Sequence, residues 1–316
     1  MTLAPAPAPT RPQGSASPTA TVTAVLLLRD SGPWLGESLD CLATQSRAPE
    51  RLLVVDTGVD GEAVEAVRGH QALAEAVPEI RYVTVSGEGT RGQVLQRGLA
   101  ADGSQPSDDS VEHLWLLTSD SAPDPQALAR LLGAVRRSPS VGAAGPKVLR
   151  WDQPGALDSV GLQLTRSGRV IPSPVPGEPD QGQYDRRTDV LAVPFPGLLL
   201  ERQLLETLGG HDAAFGDFGG DIDLAWRAHQ AGRRVIVVPR ATVRTGAAPE
   251  RESGGSRRRS ARRVALTRCA PAVAPLLAVW IALSGLAAGI VLLFAKQARS
   301  AGSEWRKTWS WTRSVA

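Results

Sequence analysis

Residues 217 to 239 read "DFGGDIDLAWRAHQAGRRVIVVP" and set two carboxylates, Asp221 and Asp223, one residue apart at the head of an amphipathic run that ends at Gly232. Two chemistries suit that placement. Acids in the first turn of a helix cap orphan N–H groups and complement the macrodipole. The same dipole keeps a carboxylate ionised, ready to accept a proton from a substrate hydroxyl. Capping accounts for Asp223 in either case, and the adjacent Gly219 and Gly220 are expected to let a loop fold over a bound acceptor. Three further aspartates, Asp30, Asp56 and Asp120, end the apolar runs "TVTAVLLLRD", "RLLVVD" and "HLWLLTSD". Singly, each suits a turn. Together they outline an acidic crevice, which would repel a nucleotide diphosphate unless Mg2+ or Mn2+ stood between them. Arg91, beside Gly89 and Gly92, has the charge to assist a departing diphosphate and reads equally well as a solvated loop arginine.

Hydrophobic period predicts the elements that hold these residues. The three apolar runs read as buried strands, and "IRYVTV" and "VGAAGPKVLRW" as two more. Between them, "WLGESLDCLATQ" sets Leu35, Leu39 and Leu42 on one helical face, and "GEAVEAVRGHQALAEAV" is helical by period. The stretch "SGEGTRGQVLQRGLAADGSQPSDDS" begins as a glycine-rich loop, becomes a short helix and ends as an exposed acidic loop. In "SAPDPQALARLLGAVRRSP", Asp124 is the expected N-cap and Pro125 the first helical residue. Alternating strand and helix predict a doubly wound α/β sheet, whose ligands bind beyond the carboxyl ends of the strands. Residues 152 to 190 break the alternation, with "GLQLTRSGRVI" reading as a hairpin, and are expected on the acceptor side of a site.

The chain has 316 residues and a formal charge of only +3, so placement of charge matters more than its sum. Six arginines fall between Arg257 and Arg268, and the uncharged stretch 269–295, "CAPAVAPLLAVWIALSGLAAGIVLLFA", follows at once. A bilayer core takes about 20 apolar residues as helix. The pattern therefore predicts a membrane helix or helical hairpin, its basic flank on the cytoplasmic side and in contact with membrane lipids. The "SEWRKTWSWTR" tail is also basic and carries three tryptophans suited to an interface. No aromatic and basic reading surface accompanies the block, which excludes nucleic acid from the expected partners. The N-terminal residues 1–20, rich in Pro and Ala, lack a signal-peptide core and read as a disordered tail. Cys41 and Cys269 lack metal-ligand spacing. The turn after the first strand lacks G-x-G-x-x-G, and no P-loop occurs.

Seven segments in order carry a resemblance: "AVLLLRDSGPWLGESLDCLATQS", "LLVVDTG", "GTRGQVLQRGLA", "LWLLTSDSAPDPQALARLL", "GPKVLRW", "FPGLLLERQLLETLGGHDAAF" and "GDIDLAWRAHQAGRRVIVVP". Over roughly residues 20 to 247 the chain resembles the family 2 glycosyltransferases of GT-A fold, especially actinobacterial membrane-associated members. The resemblance implies an inverting enzyme that moves a sugar from a nucleotide-sugar donor to a cell-envelope glycan or lipid-linked acceptor, using Mg2+ or Mn2+. It implies that Asp56 contacts the nucleoside, Asp120 ligates the metal and Asp221 is the general base; Asp30 in the crevice and Arg91 in the glycine-rich loop are the further residues expected at the donor. The implied organisation is a tail (1–20), a GT-A domain (21–250), a basic juxtamembrane linker (251–268) and a hydrophobic segment with its Trp-rich tail (269–316). The chain departs from the family pattern at Ser119, Gly220 and Thr245, where relatives often carry acidic residues or, at the last position, histidine. A membrane-bound GT-A paralogue that binds or scaffolds without catalysis is the alternative expectation.

Overall fold

The computed structural model describes residues 19–29, 32–58, 61–87, 89–104, 110–165, 168, 170–171, 174–175, 177–212, 214–246, 254–269, 272–276, 278–280, 282–283 and 287. Asp30, residues 1–18 of the expected tail 1–20 and most of the hydrophobic stretch 269–295 lie outside the described residues, while Thr19 and Ala20 of that tail begin the first strand.

Three apolar runs form the parallel strands β1 (Thr19–Leu28), β2 (Arg51–Asp56) and β3 (Glu79–Thr84), and β4 (Ser110–Thr118) pairs parallel to β1 on its other side. Helix α1 (Leu35–Ala43) follows β1, helices α2 (Gly61–Arg68) and α3 (Gln71–Ala76) follow β2, and α4 (Arg91–Asp102) follows β3. Beyond β4 come the short β5 (Ser121–Pro123), α5 (Ala127–Arg136), β6 (Val141–Arg150) and β7 (Leu157–Ser159). The chain then forms β8 (Leu199–Glu201), α6 (Arg202–Thr207), α7 (Asp217–Gln230), β9 (Arg234–Thr245) and α8 (Gly254–Arg268). Strand order is β3-β2-β1-β4-β8-β6-β9-β5, with β7 on β6. β8 runs antiparallel to both β4 and β6, so the sheet is mixed.

Alternation along β1 divides the core into two layers. Val22, Ala24, Leu26 and Leu28 face α1, α2, α3 and α5 through Leu39, Leu42, Val67, Leu73 and Leu131. Val25 and Leu27 face the other side, where Val94, Leu95, Ile222 and Val264 come from α4, α7 and α8. A helix layer therefore covers each face, as the period-2 strands and period-3.6 helices demand.

Three local expectations change. The run 61–77 is two helices rather than one. Its backbone breaks at Gly69, and His70 caps α3 by accepting from the Leu73 N–H at 3.2 Å. Helix α5 starts at Ala127, two residues later than its turn signals suggest, because Asp124 accepts from Gln126 N at 2.7 Å and so caps the preceding turn. The segment after β6 contains the expected hairpin, with Leu164 bridged to Val170. It is pinned to β6 by Lys147, whose buried Nζ lies 2.8 Å from Asp180 and 2.7 Å from Asp185.

Candidate active site

Parallel pairing brings the strand ends together. Asp56 is level with Leu28 and Thr84, and Thr118 with Leu27, so Asp56 and Asp120 reach the same carboxyl edge. Asp56 closes a turn by accepting from Gly58 N at 2.9 Å, and Gly58 has φ +70°, which a side chain would strain. Asp120 accepts through Oδ1 from the Thr118 hydroxyl at 2.6 Å. Its backbone carbonyl accepts from Gly246 N at 3.3 Å, just past Thr245, which pairs with Ser121. A Cβ on Gly246 would lie 3.1 Å from Asp120 Oδ2 and 3.0 Å from Trp34 Nε1. Glycine there lets the last strand pass between that carboxylate and an indole, which packs at 4.7 Å on Trp151.

Asp221 reaches the same edge by another route. Its Oδ2 accepts from Phe195 N at 3.1 Å. Phe195 opens a turn just ahead of β8, its carbonyl accepting from Leu198 N at 3.1 Å. Hydrogen bonds from Leu116 N to Leu198 O and from Gly197 N to Leu116 O fasten that turn to β4. Arg91, which opens the helix after β3, lies 3.6 Å from Asp221 and ties it to the carboxyl edge of the sheet.

Arg91 is the first residue of α4, behind the Thr90 and Gln93 capping box. Its backbone N–H donates to Asp217 Oδ1 at 2.6 Å, joining the N-termini of α4 and α7. Its guanidinium lies 3.6 Å from Asp217 and 3.6 Å from Asp221, over the Phe195 ring at 5.4 Å. Arg91 thus supplies the counter-charge that a carboxylate only 7% exposed requires. Arg29 also reaches this loop, donating to Gly89 O.

The carboxylate pair is not at the helix start. Helix α7 begins at Asp217, which is the acid of its first turn, so Asp221 and Asp223 lie deeper. Gly219 and Gly220 are helical, and no loop closes there; a Cβ on Gly219 would stand 3.1 Å from Ser260 of α8. Asp223 is fully buried between Arg227, at 2.7 Å, and Arg268, at 2.5 Å. It joins two helices rather than capping one. The preference of acids for a helix's first turn, applied to Asp217 in "FGDFGG", would have located this start.

The sequence also contains no signal for His211. Its ring packs against Gly92, whose Cβ would come within 2.4 Å of it, and neither ring nitrogen has a hydrogen-bond partner among the described residues. Burial, with the Arg227 and Arg91 charges, pushes its pKa down to about 4, so it is neutral at pH 7.

Among the described residues no three His, Cys, Asp or Glu side chains gather to hold a metal. Asp120 is one carboxylate at a strand end. That donor set fits a cation that arrives with a diphosphate and keeps its other ligands from substrate and water, as Mg2+ commonly does.

The model of the family described as "Glycosyltransferase like family 2" matches residues 18–265. A search of the curated proteins returned no match. Among solved structures, GalNAc-T7 with UDP, GalNAc and Mn2+ is 12% identical, covers 73% of this chain and 44% of its own, and superposes with TM-score 0.54. TarS 1–349 of S. aureus with UDP-GlcNAc is 12% identical over 72% of this chain and 59% of its own, TM-score 0.52. The mannosyltransferase PcManGT of Pyrobaculum calidifontis with GDP-Man and Mn2+ is 19% identical over 81% and 67%, TM-score 0.51. The chain thus spans about half the length of the first two, and the likeness is one of fold. With a GT-A sheet, and a family model matched over most of its length, the chain belongs to the family 2 glycosyltransferases.

Proposed function

We propose that this chain transfers a sugar, with inversion, from a nucleotide-diphosphate donor to a cell-envelope glycan or glycolipid acceptor at the cytoplasmic membrane face. One observation carries the reading: Asp56 and Asp120 stand at the carboxyl ends of β2 and β4, and Asp221 is held 3.6 Å from Arg91, the first residue of the helix that follows β3. Asp221 accepts the proton of the acceptor hydroxyl as that oxygen bonds to the anomeric carbon, and the bond to the diphosphate breaks on the opposite face. Phe195 N and Arg91 hold that carboxylate in place. Asp56, at the end of β2, contacts the nucleoside of the donor in this reading. A divalent cation held at Asp120 would supply charge compensation for the leaving diphosphate.

Membrane association draws on the arginines of α8 and on the exposed Val273, Leu276, Val279, Trp280 and Leu283 that follow. Among the described residues, no helix is long and apolar enough to cross a membrane. The competing reading, a non-catalytic scaffold, draws on the burial of Asp221 and on Ser119, Gly220 and Thr245 in place of acidic or histidine neighbours.

A panel of UDP-, GDP- and dTDP-sugars, assayed with Mn2+ or EDTA for nucleoside diphosphate release and for the anomer first formed, separates the two readings. The expected result is release from one donor class with inversion, lost in EDTA and in Asp120→Ala. Release unaffected by EDTA and by Asp120→Ala removes the metal role, and release from no donor favours the scaffold.

A further inference from the structure

The stretch expected as a basic linker forms α8, which packs along α7, the helix that carries Asp221. Ala261, Val264 and Ala265 are buried on its inner face. Arg263 and Arg268 lie over the Phe215 ring at 5.6 and 5.9 Å, and Arg257 lies over Phe218 at 5.3 Å. The two helices lie close together at Gly219, where a Cβ would stand 3.1 Å from Ser260.

At the end of α8, Arg268 Nε donates to Asp223 Oδ1 at 2.5 Å, and its Nη2 donates to Asp212 Oδ2 at 2.8 Å. The other Asp223 oxygen takes Arg227 from the same helix. A carboxylate with no exposure depends on both counter-charges, and removing one leaves a buried charge half-compensated. Residues two apart in a helix of 3.6 residues per turn point to nearly opposite sides. The same turn of α7 is therefore held by α8 at Asp223 and aims Asp221 at Phe195 and Arg91. Any rotation of α7 allowed by loss of Arg268 swings Asp221 by the same angle.

We propose that Arg268 is a positioning residue for the transfer reaction, fixing through Asp223 the rotation of α7 and with it the placement of Asp221. This rests on Asp221 being the base. The Arg268–Asp223 pair couples the segment nearest the expected membrane surface to the helix that carries the catalytic carboxylate.

The test compares full-length wild type, Arg268→Gln, Arg268→Lys, Asp223→Asn and the double variant Arg268→Gln/Asp223→Asn. Readouts are hydrogen exchange of the α7 amides and steady-state release of nucleoside diphosphate from the donor that the wild type consumes. Arg268→Gln is expected to speed exchange at 217–224 at least about tenfold. It should lower kcat about 10- to 100-fold, as a misplaced catalytic group does, with the donor KM unchanged. Arg268→Lys keeps the charge and should recover part of both, and the double variant should be no worse than Arg268→Gln. If Arg268→Gln does not fold, Arg268→Lys carries the same comparison with smaller shifts. Unchanged α7 exchange overturns the clamp whatever the activity. Faster exchange with unchanged kcat, or fully additive losses in the double variant, overturns the positioning role. A wild type that consumes no donor refutes the base assignment and the catalytic half of this inference, while exchange still decides the mechanical half.

Discussion

Substituting Gly92 by alanine should destabilise the protein even though alanine is the better helix former. A Cβ at position 92 would lie 2.4, 2.5 and 2.7 Å from three atoms of His211. Carbon atoms in good contact sit about 3.5–4.0 Å apart, so the ring or α4 must shift by roughly 1 Å. The ring has little room: it is 6% exposed, 6.3 Å from the Phe195 ring and next to Gly220. Overpacking of this kind costs about 1–3 kcal/mol, against a helix-propensity gain of about 1 kcal/mol. The expected net is a loss of about 0–2 kcal/mol in urea unfolding, and Arg91, one residue away, should move with the α4 N-terminus. A double-mutant cycle with His211→Ala isolates the clash. With the ring gone, Gly92→Ala should be neutral or stabilising, a coupling of about 1 kcal/mol or more. If Gly92→Ala stabilises the wild type, the close approach of α4 to His211 is wrong.

Two further outcomes follow from the same packing. His211 binds a proton near pH 6.5 when unfolded but only near pH 4 when folded, so stability is full above pH 6.5 and falls as pH drops toward 4. The loss is on the order of 3 kcal/mol, and His211→Phe should remove that part of the slope in unfolding curves at pH 7 and 4.5. A chain ending at Arg251 lacks α8 and leaves Asp223 without Arg268. It should unfold several degrees lower and cease to sediment with anionic vesicles; sedimentation that persists would place the lipid contact elsewhere.

Much of the scaffold was legible because burial and period agree. β1, β2 and β4 are apolar runs with no competing pattern, and their ends set Asp56 and Asp120 correctly at the sheet's edge. What failed did so where tertiary contacts decide. The three-residue β8 lies inside "FPGLLLERQLLETL", whose apolar residues read equally as strand or helix, and only pairing with β4 and β6 fixes its direction. Asp223 looked like a helix-start acid because its partner Arg268 is 45 residues away. Gly219 and Gly220 looked like a hinge because a glycine needed for close helix packing is indistinguishable, in sequence, from one needed for flexibility. His211 and the Trp34–Trp151 contact carry no local pattern at all.

The most direct measurement is the rate of nucleoside diphosphate release from the accepted donor by wild type and by Asp221→Asn, at matched donor saturation. Asparagine keeps the shape and an acceptor for Phe195 N while losing the basic oxygen. A positioned base contributes about 10²- to 10⁴-fold, so the variant should slow by that factor with donor affinity and melting temperature little changed. Equal rates in the two proteins would contradict the account, since the proton would then leave the acceptor by some other group.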